Sequence, residues 1–461
     1  MEVLQRTANR GSISTGYEIA NSLKFEADNR EYLRWNDISS YASSTRKKTF
    51  SFSAWVKLTE VGSQCIIWST AANGYLTIQA SGVIKWQQTY GGVQKTLNTN
   101  RVFRDTSAWY NIIIAVDSTQ STEANRSRLY VNGVEETSFS SATYPSQNAE
   151  AQNVYEQHHY VGEWGGGGSG WCGYIANPTF ISDAQITPSD VGEFDEDSGI
   201  WIPKAYGGAI SSPSYFLEFK DSSNLGNATS GLNVSTLNNI TAADQATDTP
   251  TNNFATFNPL LPNSSEKEGA TVFINPDAGA DTNLSTIAVA NGKWYAEFKA
   301  SSNISGDNGM VGVAANSGDS IAGRFLGQDA WSVGLLTNGS YYINSSATSY
   351  LGTTFNQDII SVALDMDNKK VYFAKNGTWG NSGNPATGTN GIALPSAYED
   401  YEWFIGTSLV LSTATYDGNY GGYTVISIAS GNTDDNGYGT FEYAPPSGYY
   451  ALCTKNLAEF G

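Results

Sequence analysis

Residues 112–133 read IIIAVDSTQSTEANRSRLYVNG and residues 359–377 read IISVALDMDNKKVYFAKNG. The two stretches lie far apart and carry one pattern: an apolar strand that ends at an Asp, a polar gap, then a second strand that closes on Asn-Gly. Asn-Gly accommodates positive φ at both central positions, so it favours the tight primed turn of a β-hairpin. Side chains alternate across a strand, so Leu129 and Val131 are expected on one face and Tyr130 on the other, and Val371 and Phe373 repeat that alternation. The repetition predicts two antiparallel β domains in tandem.

Outward from these hairpins the same period continues. TFSFSAWVKL (49–58) places Phe50, Phe52, Ala54 and Val56 on one face and Ser51, Ser53, Trp55 and Lys57 on the other. GYLTIQ and VIKWQQ extend the first series at a spacing that suits a sandwich. KWYAEFKA, MVGVAAN, WSVGLL, SYYINS, YEWFIGTSL and YTVISIA form the second, which APPSGYYALC closes. No helical period competes, beyond one turn at Thr187–Pro188, where Thr precedes Pro as a cap does. The fold class is therefore all-β: two tandem antiparallel β-sandwich (jelly-roll) domains joined by an ordered connector rich in Pro, Asn and Thr. The expected organisation is an N-terminal attachment arm over 1–22, a first sandwich over 23–200, a connector over 201–269 packed on both domains, and a second sandwich over 270–461. Pro250, Pro259 and Pro262 exclude a central strand from the connector.

Composition agrees. In 461 residues there are 27 Tyr, 19 Phe and 12 Trp, enough large side chains for two cores, and 47 Gly to punctuate the strands. The formal charge of −19 opposes a nucleic-acid surface, and the only compact basic cluster is Arg46, Lys47 and Lys48, expected at a solvated hairpin end. Cys65, Cys172 and Cys453 are odd in number and widely spaced, which predicts buried thiols rather than disulfides or a zinc site. The start, MEVLQRTANRGSIS, lacks the apolar core of a signal peptide, and no segment approaches eighteen apolar residues. The expectation is a protein neither exported by that route nor inserted in a membrane.

Three stretches bear on chemistry. EFDED (193–197) alternates Glu193 and Asp195, as hydrolytic carboxylates on a strand must, but Asp197 is followed at once by Ser198 and Gly199, so a solvated acidic turn is expected and no catalytic residue is assigned. His158 and His159 are the only histidines; neighbours on a strand face opposite ways and cannot chelate one metal, so a surface role is expected. EWGGGGSGWCGY (163–174) reads as a mobile rim loop. Trp164, Trp171 and Tyr174, with His158 and His159, are the candidate ligand-binding residues. Two readings stay open: the rings stack on sugar faces, or both Trp anchor the core while the loop crosses between strands.

TFSFSAWVK, WYNIIIAVDSTQ, RLYVNGVEE and GYIANPTFISDAQITPSD together resemble a laminin-G or pentraxin-like domain of the concanavalin A lectin/glucanase superfamily. GKWYAEFK, VGVAAN and DIISVALDMDNKKVYFAKNGTW resemble an SPRY-type sandwich. DTPTNNFATFNPL between them, YAPPSGYYALCTKNL after them and LQRTANRGSISTGYEIANSLKF before them resemble tail-fibre-like virion proteins of bacteriophages. That resemblance implies a non-enzymatic virion protein, a homotrimeric fibre or spike subunit that is assembled in the host cytoplasm and released by lysis, attaches to other virion proteins through its arm, and recognises a host-surface glycan. The alternatives are a capsid-surface decoration protein, a polysaccharide-degrading glycoside hydrolase and a cellular adhesin. No cofactor is implied except calcium, which relatives of the first domain bind with rim Asp and Asn; Asp117 and Asn132 are eligible by position.

Overall fold

The computed structural model describes every residue except 1–15, 37, 72–73, 153, 156, 166, 263–264, 276–278, 301–303, 305–307 and 411–413. The described chain divides into two compact units, one running to Thr251 and the other spanning Asn252–Gly461. Both are antiparallel β-structures with a buried aromatic core, as the alternating sequence requires.

In the first unit one sheet runs in the order Val134–Glu135, Ser127–Val131, Trp109–Asp117, Thr49–Leu58, Gly173–Ser182, Ser22–Phe25 and Gln245–Ala246. The other runs Phe139–Ala142, Val93–Val102, Val83–Tyr90, Gly74–Ile78, Cys65–Thr70, His159–Val161, Tyr32–Trp35 and Thr236–Asn238. Phe50, Phe52, Ala54 and Val56 point into the core between them, where Trp68 stacks on Phe52 with ring centroids 5.0 Å apart. The opposite face of that strand is covered too. Ser51, Ser53, Trp55 and Lys57 are all buried, and the Lys57 ammonium lies 2.7 Å from Asp248. Asp248 also accepts the Trp109 indole N–H at 3.0 Å, so the pair ties the segment before Thr251 to the outer face of the sheet.

Both Asn-Gly hairpins form. Asn132 and Gly133 have φ of 48° and 79°, Asn376 and Gly377 have 46° and 77°, and the flanking residues pair as Val131 with Val134 and Lys375 with Thr378. Leu129 and Val131 face the first core, Val371 and Phe373 the second. Tyr130 and Tyr372 face away as predicted, but each enters a smaller second cluster rather than solvent. Tyr130 meets Ile181, Ile186 and Val191; Tyr372 meets Tyr295, Phe441 and Tyr449.

The second unit pairs Ser265–Lys267, Val272–Ile274, Thr415–Asn419, Lys293–Ala300, Ile359–Asp365, Lys370–Lys375 and Thr378–Trp379 in one sheet. The facing sheet holds Asp281–Leu284, Trp403–Leu409, Gly309–Ala315, Ser332–Leu336, Ser340–Ile343 and Ser346–Ser349.

Several expectations change. The segment 201–269 divides: its strands from Trp201–Pro203 to Gln245–Ala246 pair within the first unit, whereas Ser265–Lys267 pairs within the second. Residues 1–15 of the expected arm lie outside the described residues. Its remainder is part of the first unit: Ile19 is buried, and the Tyr17 hydroxyl donates to Glu218 at 3.0 Å. Arg46, Lys47 and Lys48 end a one-turn helix, Ser44–Lys48, instead of a hairpin, because the Ser43 hydroxyl accepts from the Arg46 amide and caps it. A helix at Thr454–Phe460, hidden behind two prolines in the sequence, buries Leu457 and stacks Phe460 on Tyr450 at 3.8 Å. The turn at Pro188–Asp190 forms with a Thr187–Asp190 capping box. Among the described residues no helix is long and apolar enough to cross a membrane.

Candidate functional site

Three connections meet at one end of the first unit. They are the turn between Ser22–Phe25 and Tyr32–Trp35, the loop between Thr49–Leu58 and Cys65–Thr70, and the loop between His159–Val161 and Gly173–Ser182. Backbone hydrogen bonds join the second to the third: the Thr59 amide donates to Cys172 O at 3.2 Å and Ile66 to Gly170 O at 3.0 Å, while the Trp171 amide closes the third on itself by donating to Gly162 O at 2.8 Å. Between them lies a cavity of about 440 Å³ lined by, among others, Ala27, Asp28, Arg30, Glu60, Cys65, Glu163, Ser169 and Cys172.

Two glycines of EWGGGGSG, Gly165 and Gly170, serve close approach. A Cβ on Gly170 would sit 3.0 Å from the Ala27 backbone, and one on Gly165 only 2.6 Å from that of Ala71. The loop can lie against its neighbours only without side chains there.

The cavity wall is polar and apolar in near-equal parts, and three carboxylates, Asp28, Glu60 and Glu163, line it. Arg30 reaches Glu163 with Nη2 at 2.6 Å and Nε at 3.0 Å from the same oxygen. Glu163 is buried, while the Arg30 side chain is 61% exposed, so the guanidinium still offers donors to a ligand. Ligand atoms of Glu26, Glu60 and Cys172 lie within 4.8 Å of one another. The Cys172 thiol donates to Glu26 at 3.6 Å. Burial, reinforced by the nearby Glu26 and Glu60 carboxylates, holds that thiol well above the usual range; burial and Glu60 push Cys65 up to about 12. Both thiols are therefore protonated at neutral pH, and a soft divalent cation would bind here only by displacing a proton.

The residues singled out in the sequence are mostly elsewhere. Trp171 and Tyr174 are completely buried, so neither can stack on a sugar; Trp171 belongs to the main core, and Tyr174 lies beneath Lys57, 5.9 Å from its ammonium. Trp164 is half-buried within the cavity loop, its amide donating to Ser169 O at 3.0 Å. The expected surface role fails for His159, which is fully buried, edge-on to Phe180 at 4.7 Å and Trp68 at 5.3 Å, with Nε2 2.6 Å from Val154 O. Desolvation lowers its pKa to about 4. His158 points the other way, half-buried against Tyr160, as strand alternation demands.

Asp117 and Asn132 do not share a site. Asn132 sits opposite Asn111 at one end of the Trp109–Asp117 strand and Asp117 at the other, roughly 20 Å away at about 3.3 Å per residue. Each is already occupied: Asp117 accepts from Thr119 and Gln120, and Asn132 Oδ1 from the Asn111 amide. Glu193 lies on a short hairpin, its carboxylate 53% exposed and 3.8 Å from Lys204, while Asp195 accepts from Ser198 within its own turn. Asp197 is exposed in the same turn. Sequence reading missed Glu26, Asp28, Arg30 and Glu60. The run EADNRE (26–31), with its cluster of charges between two alternating strands, was the one available signal for the first three, and Glu60 had none.

Residues 28–191 match the family model of the concanavalin A-like lectin/glucanases superfamily, and residues 293–386 match the SPRY domain model. The chain thus carries a jelly-roll lectin domain and an SPRY domain in tandem. Among curated proteins none matches this chain in sequence. Among solved structures, the SPRY domain of human HERC1 is similar at 17% identity, covering 35% of this chain and 96% of its own, with a TM-score of 0.29. A human SPRY domain is similar at 11% identity over 34% of this chain and 94% of its own, with a TM-score of 0.26. A native heptameric SAP-like pentraxin from Limulus polyphemus is similar at 12% identity over 37% of this chain and 80% of its own, also with a TM-score of 0.26.

Proposed function

We propose that this protein is a non-enzymatic recognition subunit, a fibre or spike component of a bacteriophage particle, and that its first sandwich binds a host-surface glycan in the cavity beside Arg30. The observation that carries the reading is that cavity. It opens at one end of a lectin-type sandwich, its wall mixes polar and apolar surface in near-equal parts, and it presents an exposed guanidinium and the Asp28 carboxylate, the kinds of group that hydrogen-bond sugar hydroxyls. The virion setting is supported by the resemblance of residues 248–260 and 443–457 to tail-fibre-like proteins; trimeric assembly and attachment through residues 1–22 belong to the same proposal, and so does location on the particle rather than in the cell.

The test is binding of the full chain to a panel of bacterial surface polysaccharides, with laminarin included and reducing sugars assayed throughout. Retention on at least one polysaccharide is expected, weakened about tenfold or more, a loss of at least ~1.4 kcal/mol, in Asp28→Ala and Arg30→Ala, with no sugar release. No retention on any member would defeat the glycan reading. Labelling intact particles with antibody tests the virion setting separately.

One observation favours a second reading. Glu60 on the cavity wall and the buried Glu26 behind it bring carboxylate oxygens within 4.8 Å of one another, close to the spacing of a hydrolytic pair, where Glu193 does not. Sugar release abolished by Glu26→Gln or Glu60→Gln would establish a glycoside hydrolase instead.

A further inference from the structure

Next to the turn that lines the cavity, the first unit buries a second charged cluster that recognition does not use. Lys24 lies on the strand Ser22–Phe25, Glu31 just before the strand Tyr32–Trp35, and Asp244 at the end of the turn Ala242–Asp244. All three side chains are more than nine-tenths buried. The Lys24 nitrogen is 2.9 Å from Asp244 Oδ1 and 3.0 Å from each oxygen of Glu31. The other oxygen of Asp244, Oδ2, accepts from the Thr241 amide at 2.7 Å and from the Thr241 hydroxyl at 3.1 Å. Glu31 Oε2 in turn accepts from the Glu26 amide at 2.8 Å, which fixes its carboxylate beside the amine.

We propose that Lys24 and Asp244 condense to an intramolecular isopeptide bond, with Glu31 as the proton carrier, so that the first strand is covalently tied to the segment that pairs with it. The parts have the required placement. A nucleophilic nitrogen sits against one carboxyl oxygen, two donors face the oxygen that must carry charge, and a third group touches the nitrogen's protons.

The step balances. The Lys24 ammonium gives one proton to Glu31 and its lone pair attacks Cγ of Asp244. Charge develops on Oδ2, against Thr241. Glu31 returns its proton to Oδ1, which takes a second from nitrogen and leaves as water. One C–N bond forms, one C–O bond breaks, and of the three ammonium protons one stays on the amide and two depart. No oxidant or other reactant is needed. Burial supplies the drive, because three charged groups held out of water are replaced by a neutral amide and one carboxylate. Desolvation, with the Asp244 charge adding to it and Lys24 opposing, raises Glu31 to about 7, which suits a group that must accept and return a proton near neutrality.

The same unit holds a comparison pair. Lys57 and Asp248 are equally buried and 2.7 Å apart, but there the second Asp248 oxygen faces the Trp109 indole. The proposal is independent of what the cavity binds.

The experiment is the intact mass of the denatured full chain, followed by proteolytic mapping. The wild type is expected to be lighter than its sequence by one water, with a branched peptide joining the Lys24 and Asp244 segments. Lys24→Arg, Asp244→Ala and Glu31→Gln are expected at their full masses, Glu31→Gln while still folded by near-UV circular dichroism. The wild-type mass needs no variant: folded protein at its full mass after prolonged incubation overturns the proposal. A water loss that maps to Lys57 and Asp248 or to a succinimide overturns it as well, and one that survives in Glu31→Gln removes the role given to Glu31.

Discussion

His159 shows what a single residue can conceal. As one of two adjacent histidines that cannot chelate one metal from a strand, it invited a surface role; the alternation of its strand drives it in among the core aromatics. There the neutral ring is strongly preferred, and its pKa falls from an ordinary 6.5 to about 4. The unfolded chain therefore binds the proton first as pH drops. Stability contributed by this residue is present above about 6.5, is lost as pH falls toward 4, and changes no further below that. Between pH 7 and pH 4.5 the wild type is expected to lose about 2 kcal/mol more in urea unfolding than His159→Phe, which has nothing to titrate there. Equal losses in the two proteins would show that the ring is not neutral in the core.

At the scale of elements, the two Asn-Gly hairpins were legible because a positive-φ pair has few sequence solutions. What lies above each turn was not legible. A Cβ on Gly133 would fall 2.4 Å from the Trp201 ring, and one on Gly377 2.6 Å from Tyr443. By contrast Gly92, also at positive φ, has nothing within 4 Å. Gly92→Ala is expected to cost only the left-handed backbone penalty, about 1–2 kcal/mol, whereas Gly133→Ala adds a collision with a buried indole and costs clearly more. Thermal unfolding of the two variants side by side checks the order; equal midpoints would mean that Trp201 is free to move aside. Tyr130 and Tyr372 sit in second clusters for a related reason. Chain returning over the outer face of a sheet turns an expected solvent side into a second core, and a period-two pattern cannot announce it, because Tyr is accepted on either kind of surface.

For the molecule as a whole, each unit owns its sheets and its core. Ile114 is buried in one and Val362 in the other. Ile114→Ala and Val362→Ala are each expected to cost about 2–4 kcal/mol, and hydrogen exchange should quicken mainly within residues 16–251 for the first and 252–461 for the second. Exchange that quickened equally in both units for either change would show that they unfold together. The division itself was half legible: two hairpin series predicted two sandwiches, but the short strands at 215–216, 230–231, 236–238 and 245–246 extend the first unit to Thr251. Strands of two or three residues are stabilised by the sheet they join and leave no periodicity of their own to detect.

The candidate site divides in the same way. Alternation, turn chemistry and the burial of three thiols follow from local rules, in which each residue's preference depends on its immediate neighbours, and the sequence alone determined them. The cavity of Arg30, Glu163, Glu60 and Cys172, with Glu26 behind it, and the triad of Lys24, Glu31 and Asp244, join residues up to about two hundred positions apart. Only tertiary structure decided these, because a charged side chain in a loop or strand carries no sign of which partner the fold will bring to it.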